Sequence, residues 1–378
     1  MSAVLLGALS GYTIAITADR RREEQAELIE RRGGSVLFGP VIRTLPLADE
    51  VGLRAATEAL IDQPPDVVVL CTAIGVRGWA TATESLGLHD GLLDALGSAD
   101  VVVRGPKAAG AAVTAGLAVT WQTPGATYTE VLEHLASRPT RHLDGRPVRV
   151  AVQLDGAESA PLLTELPALG YEVVPVPVYR WHLPDDRGPA DRLIAAVADR
   201  TVDAVTFTSA HAVTNFMALA GDTGRRDEVV AACQGGDVLV TAVGPVTSAR
   251  ARASGLGGAA EPRQSRMGAM VQALVRALDD RSTVIDLAGT PLLLQGRLAV
   301  VGAQEPVVLT DRERAVLGAL TVRPGAVVSK QSLLEQIWTG ESDDHVVEVT
   351  IGRLRRRLGT AGSSIETVMR RGYRIAAT

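Results

Sequence analysis

Short apolar runs alternate with longer amphipathic segments through the first three quarters of the chain. The runs have strand length, and the segments between them have helix length with one apolar face. This alternation is typical of βαβ units with parallel sheets, so residues 1–283 are predicted to have an α/β fold. The apolar runs lie at 66–70, 101–103, 148–152, 203–207 and 238–243.

One spacing occurs twice within this region, which indicates an internal duplication. Asp66 begins an apolar run that reaches a hydroxyl six residues later at Thr72, and Asp203 begins one that reaches Ser209 six residues later. Each copy then has a Gly-Pro pair eleven residues ahead of a Gly-Leu pair. We therefore expect two similar α/β domains of the flavodoxin-like, parallel-sheet type, each with its own sheet.

Two extended stretches marked by prolines indicate where the chain passes between these domains. The stretches, Gly39–Pro46 and Pro175–Pro184, each follow a strand, a helix and a glycine. Two such stretches predict a two-stranded connector. One domain is then expected from residues 1–39 and 185–283, and the other from residues 45–175.

Hydroxyl side chains and a glycine fall where the predicted strands end. In parallel α/β sheets, ligands bind beyond the carboxyl ends of the strands, where helix N-termini point amides outward. Short hydroxyls and free amides suit carboxylates or phosphates, and two such rims facing each other would form a cleft. The alternative is that these residues only cap helices. The candidates are Thr17, Thr72, Thr208, Ser209, Gly244 and Thr247.

The duplicated pattern, together with Val178-Tyr179 on the second extended stretch, resembles uroporphyrinogen-III synthase. The resemblance implies two α/β domains and a cyclisation of a linear tetrapyrrole that needs no cofactor. It further implies that backbone amides hold the acetate and propionate groups and that Tyr179 lies in the cleft. In an active enzyme, Tyr179 would be the catalytic candidate.

Two positions depart from the pattern of that family. Ala108 stands in the first copy where the second copy has Thr247, and the arginine that usually follows the first strand's threonine is displaced to Arg20. We keep Arg20 among the candidate ligand-binding residues. These departures favour binding of a tetrapyrrole-like polyanion over catalysis.

Residues 284–378 predict three helices followed by a basic hairpin. Thr310 and Glu313 have the spacing of a capping box ahead of the first helix. The third helix is predicted to begin at Asp343 or Asp344. Its apolar face has the helical period and consists of Val347, Ile351, Leu354 and Leu358. Three helices and a hairpin with Arg370-Arg371 at its turn predict a winged helix–turn–helix.

Positive charge is concentrated at this end of the chain. The whole sequence has 38 Lys and Arg against 43 Asp and Glu, a net charge of −5. Residues 284–378 have 12 against 10, a net charge of +2, and residues 345–378 have seven Arg against two Glu. A basic end on an acidic body favours phosphate attraction by one small module, although a solvated charged helix has the same composition.

The order of cap, helix and hairpin resembles the winged-helix output domain of OmpR/PhoB-type response regulators. The residues that carry the resemblance are Leu309-Thr310, Arg353-Leu354-Arg355 and Gly372-Tyr373-Arg374. It implies double-stranded DNA at promoter sites as the partner, with Arg353 reaching bases or phosphates and Arg355 contacting the backbone. The DNA-binding candidates are Lys330, His345, Val349, Arg353, Arg355, Arg356, Arg370, Arg371 and Tyr373.

The resemblance also implies an antiparallel sheet ahead of the helices, which Pro291–Leu309 is expected to supply. Thr283–Gly289 is then predicted to be a short linker that keeps the winged helix packed on the first α/β domain. No receiver domain with a phosphoacceptor aspartate is recognisable in the sequence. The synthase-like domains are therefore expected to take the place of the sensor.

The combined architecture resembles a class of actinobacterial regulators of nitrate and nitrite assimilation. Siroheme, the cofactor of nitrite reductase, descends from uroporphyrinogen III, which fits a sensor for tetrapyrrole-like compounds. The predicted function is a DNA-binding transcription regulator whose synthase-like domains bind such a ligand or a second transcription regulator. The alternative is an active uroporphyrinogen-III synthase that carries a DNA-binding tail.

Composition excludes several other classes of protein. Hydrophobic residues make up 46% and charged residues 21% of the chain, as in globular proteins, and no apolar run approaches the roughly 18 residues of a membrane span. Two cysteines exclude a disulfide scaffold or a cysteine-rich zinc site. No G-x-G-x-x-G or P-loop lysine pattern occurs, which disfavours nucleotide binding. A cytoplasmic protein with no cofactor, no metal and no membrane association is predicted.

Overall fold

A computed structural model describes residues 6–46, 51–154, 160–287, 289–338 and 343–376. Its strands are β1 (Thr13–Ile16), β2 (Ser35–Phe38), β3 (Arg43–Pro46), β4 (Val67–Leu70), β5 (Asp100–Val103), β6 (Val119–Gln122), β7 (Arg149–Gln153), β8 (Glu172–Val176), β9 (Tyr179–His182), β10 (Ala204–Phe207), β11 (Leu239–Ala242), β12 (Thr283–Leu287), β13 (Thr290–Gln295), β14 (Leu298–Val301), β15 (Val307–Val308), β16 (Ile365–Val368) and β17 (Gly372–Ile375).

The α-helices are α1 (Arg22–Glu30), α2 (Val51–Asp62), α3 (Ala73–Leu86), α4 (His89–Gly97), α5 (Pro106–Thr114), α6 (Tyr128–Ala136), α7 (Ala160–Ala168), α8 (Gly188–Ala198), α9 (Ala210–Asp222), α10 (Arg226–Gln234), α11 (Pro245–Ala253), α12 (Met267–Asp279), α13 (Asp311–Thr321), α14 (Lys330–Ile337) and α15 (His345–Arg357). None of the helices within the described ranges has both the length and the apolar character that a membrane crossing requires.

The chain divides into two compact units, one formed by Met1–Ile42 with Leu183–Thr378 and the other by Arg43–His182. We call the second unit the inserted lobe. The first unit contains an α/β part, residues 6–42 and 183–282, which we call the first lobe. It also contains the DNA-binding module, residues 283–376.

The first lobe is built on a four-stranded parallel sheet in the order β11-β10-β1-β2. Numbered within the lobe and read from β2, this order is 2-1-3-4, which matches the flavodoxin-like order 2-1-3-4-5 without its last strand. Thr241 of β11 forms an isolated parallel bridge with Ala260 at the place of the missing strand. Apolar residues of the strands pack against helices on both faces, because a parallel sheet must be covered on both sides.

The inserted lobe has a five-stranded parallel sheet in the order β6-β5-β4-β7-β8. The chain enters this lobe ahead of β4, so β7 and β8 take the places that β1 and β2 have in the first lobe. The two sheets then share one order, and the predicted α/β architecture is confirmed. Both predicted extended stretches form strands, and β3 and β9 pair antiparallel within this unit.

The strand registers show how the two lobes correspond. Val67 pairs with Val150 in the inserted lobe, as Ala204 pairs with Ile14 in the first lobe. Asp66 therefore corresponds to Asp203. By the same register Thr72 corresponds to Ser209. The sequence repeat matches the same pairs of positions.

The DNA-binding module begins with a four-stranded antiparallel sheet, β12 to β15, followed by three helices and the β16–β17 hairpin. The prediction that this sheet begins at Pro291 is wrong, because Thr283–Leu287, predicted as a linker, forms the edge strand β12. The error arose because alternating apolar residues in a short segment suit a strand as well as a packed linker. Ala288 lies outside the described residues. One core joins the sheet, the helices and the hairpin.

Candidate functional site

Helix α15 presents one apolar and one polar face, and burial of the apolar face fixes its orientation in the module. Val347, Ile351, Leu354 and Leu358 are buried in the core, as the helical period predicts. Three arginines occupy the last turn, where the negative end of the helix dipole stabilises positive charge. The opposite face is thereby left for a partner.

The polar face of α15 presents arginines to solvent. Arg353 and Arg356 are exposed, and His345 and Val349 lie on the same side. Arg356 donates a long hydrogen bond of 3.4 Å from Nε to the carbonyl of Gly352, which keeps it over the helix. Arg353 forms no ion pair with any residue in the described ranges. A guanidinium in this position has its donors available for a base edge or a phosphate.

The hairpin of β16 and β17 forms a wing with a basic tip. Arg370 and Arg371 are exposed there, and Arg370 adopts a φ of 57°. Gly372 follows at a φ of 132°, and a Cβ atom there would lie 2.0 Å from the carbonyl oxygen of Val328. Glycine is required because Val328 forms a bridge with Tyr373, which ties the wing to the residues ahead of α14.

Arg355 connects α15, which has the position of the recognition helix in a winged helix–turn–helix, to the wing. Its Nε and Nη2 donate to the carbonyl of Ile365 at 2.9 and 2.6 Å, and Nη2 also donates to Oγ1 of Thr367 at 2.9 Å. The predicted backbone contact with DNA stays a prediction for this residue. Its guanidinium holds β16 against α15.

Two predicted DNA-binding residues occupy settings that the sequence did not indicate. Tyr373 is buried in the module's core, and burial raises the pKa of its hydroxyl; its contact with DNA stays a prediction. Lys330 forms an ion pair with Glu348 of α15. That hydrogen bond raises the pKa of Lys330 and lowers the pKa of Glu348. A phosphate that binds Lys330 has to compete with this carboxylate.

A second arginine of α15, Arg357, binds residues of the module itself. Arg357 donates to the carbonyl of Val308 at 2.8 Å and pairs at 3.0 Å with Glu313, whose side chain is buried. Glu313 also accepts the Thr310 amide and hydroxyl, which completes the predicted capping box of α13. Sequence patterning identified the cap but not its arginine partner, because 44 positions separate Glu313 and Arg357.

The carboxyl rim of the first lobe is less open than predicted. Thr17 is fully buried, and its hydroxyl donates to the carbonyl of Thr206 at 2.7 Å, so it is a structural residue where a ligand contact was predicted. Ser209 caps α9 by accepting the Ala212 amide at 3.2 Å. Thr208 is half-buried beside it, and Arg20 is exposed.

The second Gly-Pro pair of the repeat lies at the start of α11. Gly244 is buried in extended backbone, and a Cβ atom there would lie 2.2 Å from Oγ of Ser265. A larger residue at this position would therefore require the Ser265 side chain to shift. Thr247 in the first turn of α11 is also buried, so a ligand would reach the helix N-terminus more readily than the hydroxyl.

The carboxyl rim of the inserted lobe brings two predicted residues together. Thr72 caps α3 by accepting the Gly75 amide at 3.1 Å, and the same hydroxyl lies 3.1 Å from the hydroxyl of Tyr179. Gln153, which the sequence analysis missed, accepts the amides of Cys71 and Thr72 through Oε1. The available signal was a polar residue directly after the apolar run 150–152 of β7. Gln153 fixes the backbone that carries Thr72.

Two family models match the chain. The model for uroporphyrinogen-III synthase HemD matches residues 23–272, and the model for the C-terminal domain of transcriptional regulatory proteins matches residues 304–375. The uncharacterized protein YjjA of Bacillus subtilis strain 168 is 30% identical over 276 residues, which cover 72% of this chain and 98% of that protein.

Similarity extends to a solved structure and to a regulator. A crystal structure of mutant uroporphyrinogen III synthase from the extremely thermophilic bacterium Thermus thermophilus has a TM-score of 0.59 and 31% identity, covering 71% of this chain and 99% of that chain. Transcriptional regulatory protein CutR of Streptomyces coelicolor is 41% identical over 110 residues, 27% of this chain and 50% of that protein. The two resemblances are confirmed, and their combination supports a transcription regulator that binds double-stranded DNA.

Proposed function

The chain belongs to the uroporphyrinogen-III synthase HemD family and also carries a regulatory C-terminal domain; we propose that it regulates promoters of nitrate and nitrite assimilation genes. In this proposal the DNA-binding module contacts the promoter. The two α/β lobes bind a tetrapyrrole-like polyanion or dock a second transcription regulator.

The exposed basic surface of the module is the observation that carries the proposal. Arg353 and Arg356 on α15 face solvent together with Arg370 and Arg371 on the wing. In winged helices the recognition helix enters the major groove, and arginine pairs bidentately with guanine there. Phosphates supply most of the remaining affinity, which suits the arginines at the wing tip.

The choice of target genes rests on chemistry shared by the lobes and the pathway. Siroheme, the cofactor of nitrite reductase, descends from uroporphyrinogen III, the product that gives this family its name. Acetate and propionate groups are carboxylates, which helix N-termini such as those at Thr72 and Ser209 favour. A lobe of this fold is thus suited to report on tetrapyrrole supply.

Genome-wide footprinting of the purified protein tests both parts of the proposal. We expect protected sites ahead of genes for nitrate or nitrite uptake and reduction. Protected sites confined to other pathways would contradict the proposed targets and leave promoter binding intact. A footprint no stronger than that of the Arg353→Ala, Arg371→Ala double variant would contradict regulation through this module.

An active synthase is the second candidate, and the hydrogen bond between Thr72 and Tyr179 is the observation that favours it. Ala108 and the internal bond of Thr17 disfavour it, because each removes a hydroxyl from a rim. We expect little or no cyclisation of hydroxymethylbilane. Robust formation of the type III product, lost in Tyr179→Phe, would reverse the order of the two candidates.

Ligand sensing has a thermodynamic signature. If ligand and operator are coupled, each must change the affinity of the other by the same factor. Isothermal titration with uroporphyrinogen-like and siroheme-like compounds, with and without operator DNA, measures that factor. Thr72→Ala and Ser209→Ala should weaken ligand response and leave ligand-free DNA affinity unchanged. Equal ligand affinity in both titrations would instead favour docking of a second regulator.

A further inference from the structure

The aspartate that begins each copy of the repeat accepts a hydrogen bond from the equivalent backbone amide in both lobes. Oδ2 of Asp66 accepts the Arg149 amide at 2.8 Å, and Oδ2 of Asp203 accepts the Thr13 amide at 2.8 Å. Arg149 and Thr13 begin equivalent strands, β7 and β1. Both carboxylates thus lie at the amino edge of their sheet, the edge opposite the rims.

In the inserted lobe, residues of the lobe itself complete the setting of this carboxylate. Nε2 of His142 lies 3.0 Å from Asp66, and Nη2 of Arg146 lies 3.5 Å from it. Both residues belong to the segment 137–148, which follows α6 and leads back into the sheet. The lobe therefore covers its own amino edge.

In the first lobe the partner comes from the DNA-binding module. After α12 the chain continues into β12, and Nη1 of Arg314 on α13 lies 2.5 Å from Oδ1 of Asp203. Asp203 is only 2% exposed, so its charge needs a cationic partner. Arg314 supplies that partner from a position 111 residues later in the sequence.

Backbone contacts beside this ion pair bring the two parts into close approach. Gly11 has a φ of +79° and Gly296 a φ of +55°, and a Cβ atom on Gly296 would lie 2.3 Å from the Gly11 carbonyl oxygen. The Arg297 amide donates to the same carbonyl at 2.8 Å. Nε2 of Gln295 donates to the carbonyls of Gly7 and Ser10 at 3.0 and 3.1 Å.

We infer that the amino edge of the first sheet is a docking surface for the chain's own DNA-binding module, held by the Arg314–Asp203 pair and the Gly11–Gly296 contact. The module takes the place that the segment 137–148 fills in the inserted lobe. A cavity of about 220 Å³, lined by Tyr12, Arg281 and Arg314 among others, lies within this contact. Apolar packing is therefore incomplete there, and the polar anchors hold the orientation. The inference does not depend on the proposed function.

Docking on this side leaves the recognition helix available. Arg314 and Gly318 of α13 line the cavity, whereas Glu313 of the same helix pairs with Arg357 of α15. Helix α13 thus lies between the first lobe and the recognition helix. The first lobe carries the DNA-binding surface at a fixed orientation without covering it.

Distance measurement between spin labels on the full-length protein tests the docking. Cysteines introduced at Arg252 in the first lobe and Ser363 in the module are exposed positions for the labels. Both native cysteines are buried, and burial raises the pKa of Cys233 to about 12, so the introduced thiols should react selectively. We expect a single narrow distance in the parent protein.

Arg314→Ala and Gly296→Ala should each convert the narrow distance into a broad distribution. Gly289→Ala is the matched control, because Gly289 also has a positive φ in a hairpin of this sheet, but a methyl group added to it would meet no atom within 4 Å. Asp66→Asn is the second control and should leave the distance narrow. Circular dichroism and retained DNA binding would establish that the variants fold.

A narrow, unchanged distance in both Arg314→Ala and Gly296→Ala would overturn the inference. Gln295→Ala provides a third variant, since it removes only the two hydrogen bonds to Gly7 and Ser10 and introduces no strain. If the two stronger variants fail to fold, broadening in Gln295→Ala supports the docking and a narrow distance contradicts it.

Discussion

The first lobe and the inserted lobe share a sheet order, but they differ in the sizes of the residues at one pair of neighbouring positions. Gln153 ends β7, and Gly75 stands in the first turn of α3; a Cβ atom on Gly75 would lie 2.0 Å from Nε2 of Gln153. The equivalent residues of the first lobe are Thr17 and Ala212. A long side chain with glycine in one lobe thus corresponds to a short side chain with alanine in the other.

This exchange shows how a duplicated fold is maintained while its rims diverge. Gln153 is long enough to accept two amides of the neighbouring strand end, whereas the Thr17 hydroxyl reaches only the Thr206 carbonyl. The amino edges diverge in a similar way, because Asp66 is covered within its lobe and Asp203 by the DNA-binding module. One lobe is self-contained, and the other carries the effector domain.

The largest expected difference between the lobes concerns the two aspartates. Asp203→Asn should lower the free energy of unfolding of the first unit by about 3 kcal/mol, because it removes the buried carboxylate of the ion pair with Arg314. Asp66→Asn should cost about 1–2 kcal/mol in the inserted lobe, where the carboxylate is partly exposed. Urea unfolding measures both changes. Equal costs would contradict the difference in how the edges are covered.

Gly75→Ala should destabilise the inserted lobe by about 1–3 kcal/mol, because the new methyl group overlaps Gln153. The control is Gly110→Ala on α5, an exposed helical position with nothing within 4 Å, which should stabilise by about 1 kcal/mol. Adding Gln153→Thr to Gly75→Ala copies the first lobe and should restore part of the loss. Size compensation would be contradicted if the double variant lost as much free energy of unfolding as Gly75→Ala and Gln153→Thr lose when their separate effects are added.

Removal of the two equivalent caps should have smaller effects. Thr72→Ala and Ser209→Ala each lose one capping hydrogen bond, at a cost of about 1 kcal/mol. Thr72→Ala should cost more, since it also removes the hydrogen bond between the Thr72 and Tyr179 hydroxyls. Denaturant unfolding of both variants, with Thr72→Ser as the conservative control, makes the comparison. A larger loss for Ser209→Ala would count against the role of Tyr179.

The smallest expected effect depends on pH. Burial acts to raise the pKa of Asp66, but the Arg149 amide and His142 outweigh it, so the pKa lies below its ordinary value. A carboxyl group with a lowered folded pKa stabilises the fold above its unfolded pKa of about 3.9, and this stabilisation is lost as pH falls further. Acid unfolding below about pH 4 should therefore be less steep in Asp66→Asn. An identical acid profile would exclude this contribution.

The duplicated α/β order and the winged helix followed from the sequence because each depends on local spacing. The repeat of Asp, apolar run and hydroxyl fixes a strand and the helix cap after it, as Thr72 and Ser209 illustrate. The capping box at Thr310 and the apolar face of α15 are likewise set by residues within one or two helical turns.

The burial and the bonding partners of individual polar side chains did not follow from the sequence. Thr17 is internal and Tyr373 lies in a core, although strand ends and wings commonly expose such residues. Arg355 and Arg357 are engaged by backbone carbonyls of other elements. The Arg314–Asp203 pair joins residues that no local pattern relates. Each outcome depends on tertiary contacts, which periodicity does not encode.

DNA recognition by α15 and the wing is tested most directly by gel-shift titration at two salt concentrations. Arg353→Ala and Arg356→Ala should each weaken operator binding by about 1–3 kcal/mol where the arginine pairs bidentately with guanine. Arg371→Ala should weaken all sequences alike and reduce the salt slope by about 1. Arg250→Ala, an exposed arginine of α11, is the control and should bind as the parent does. Unchanged affinity in all three module variants would contradict DNA recognition by this surface.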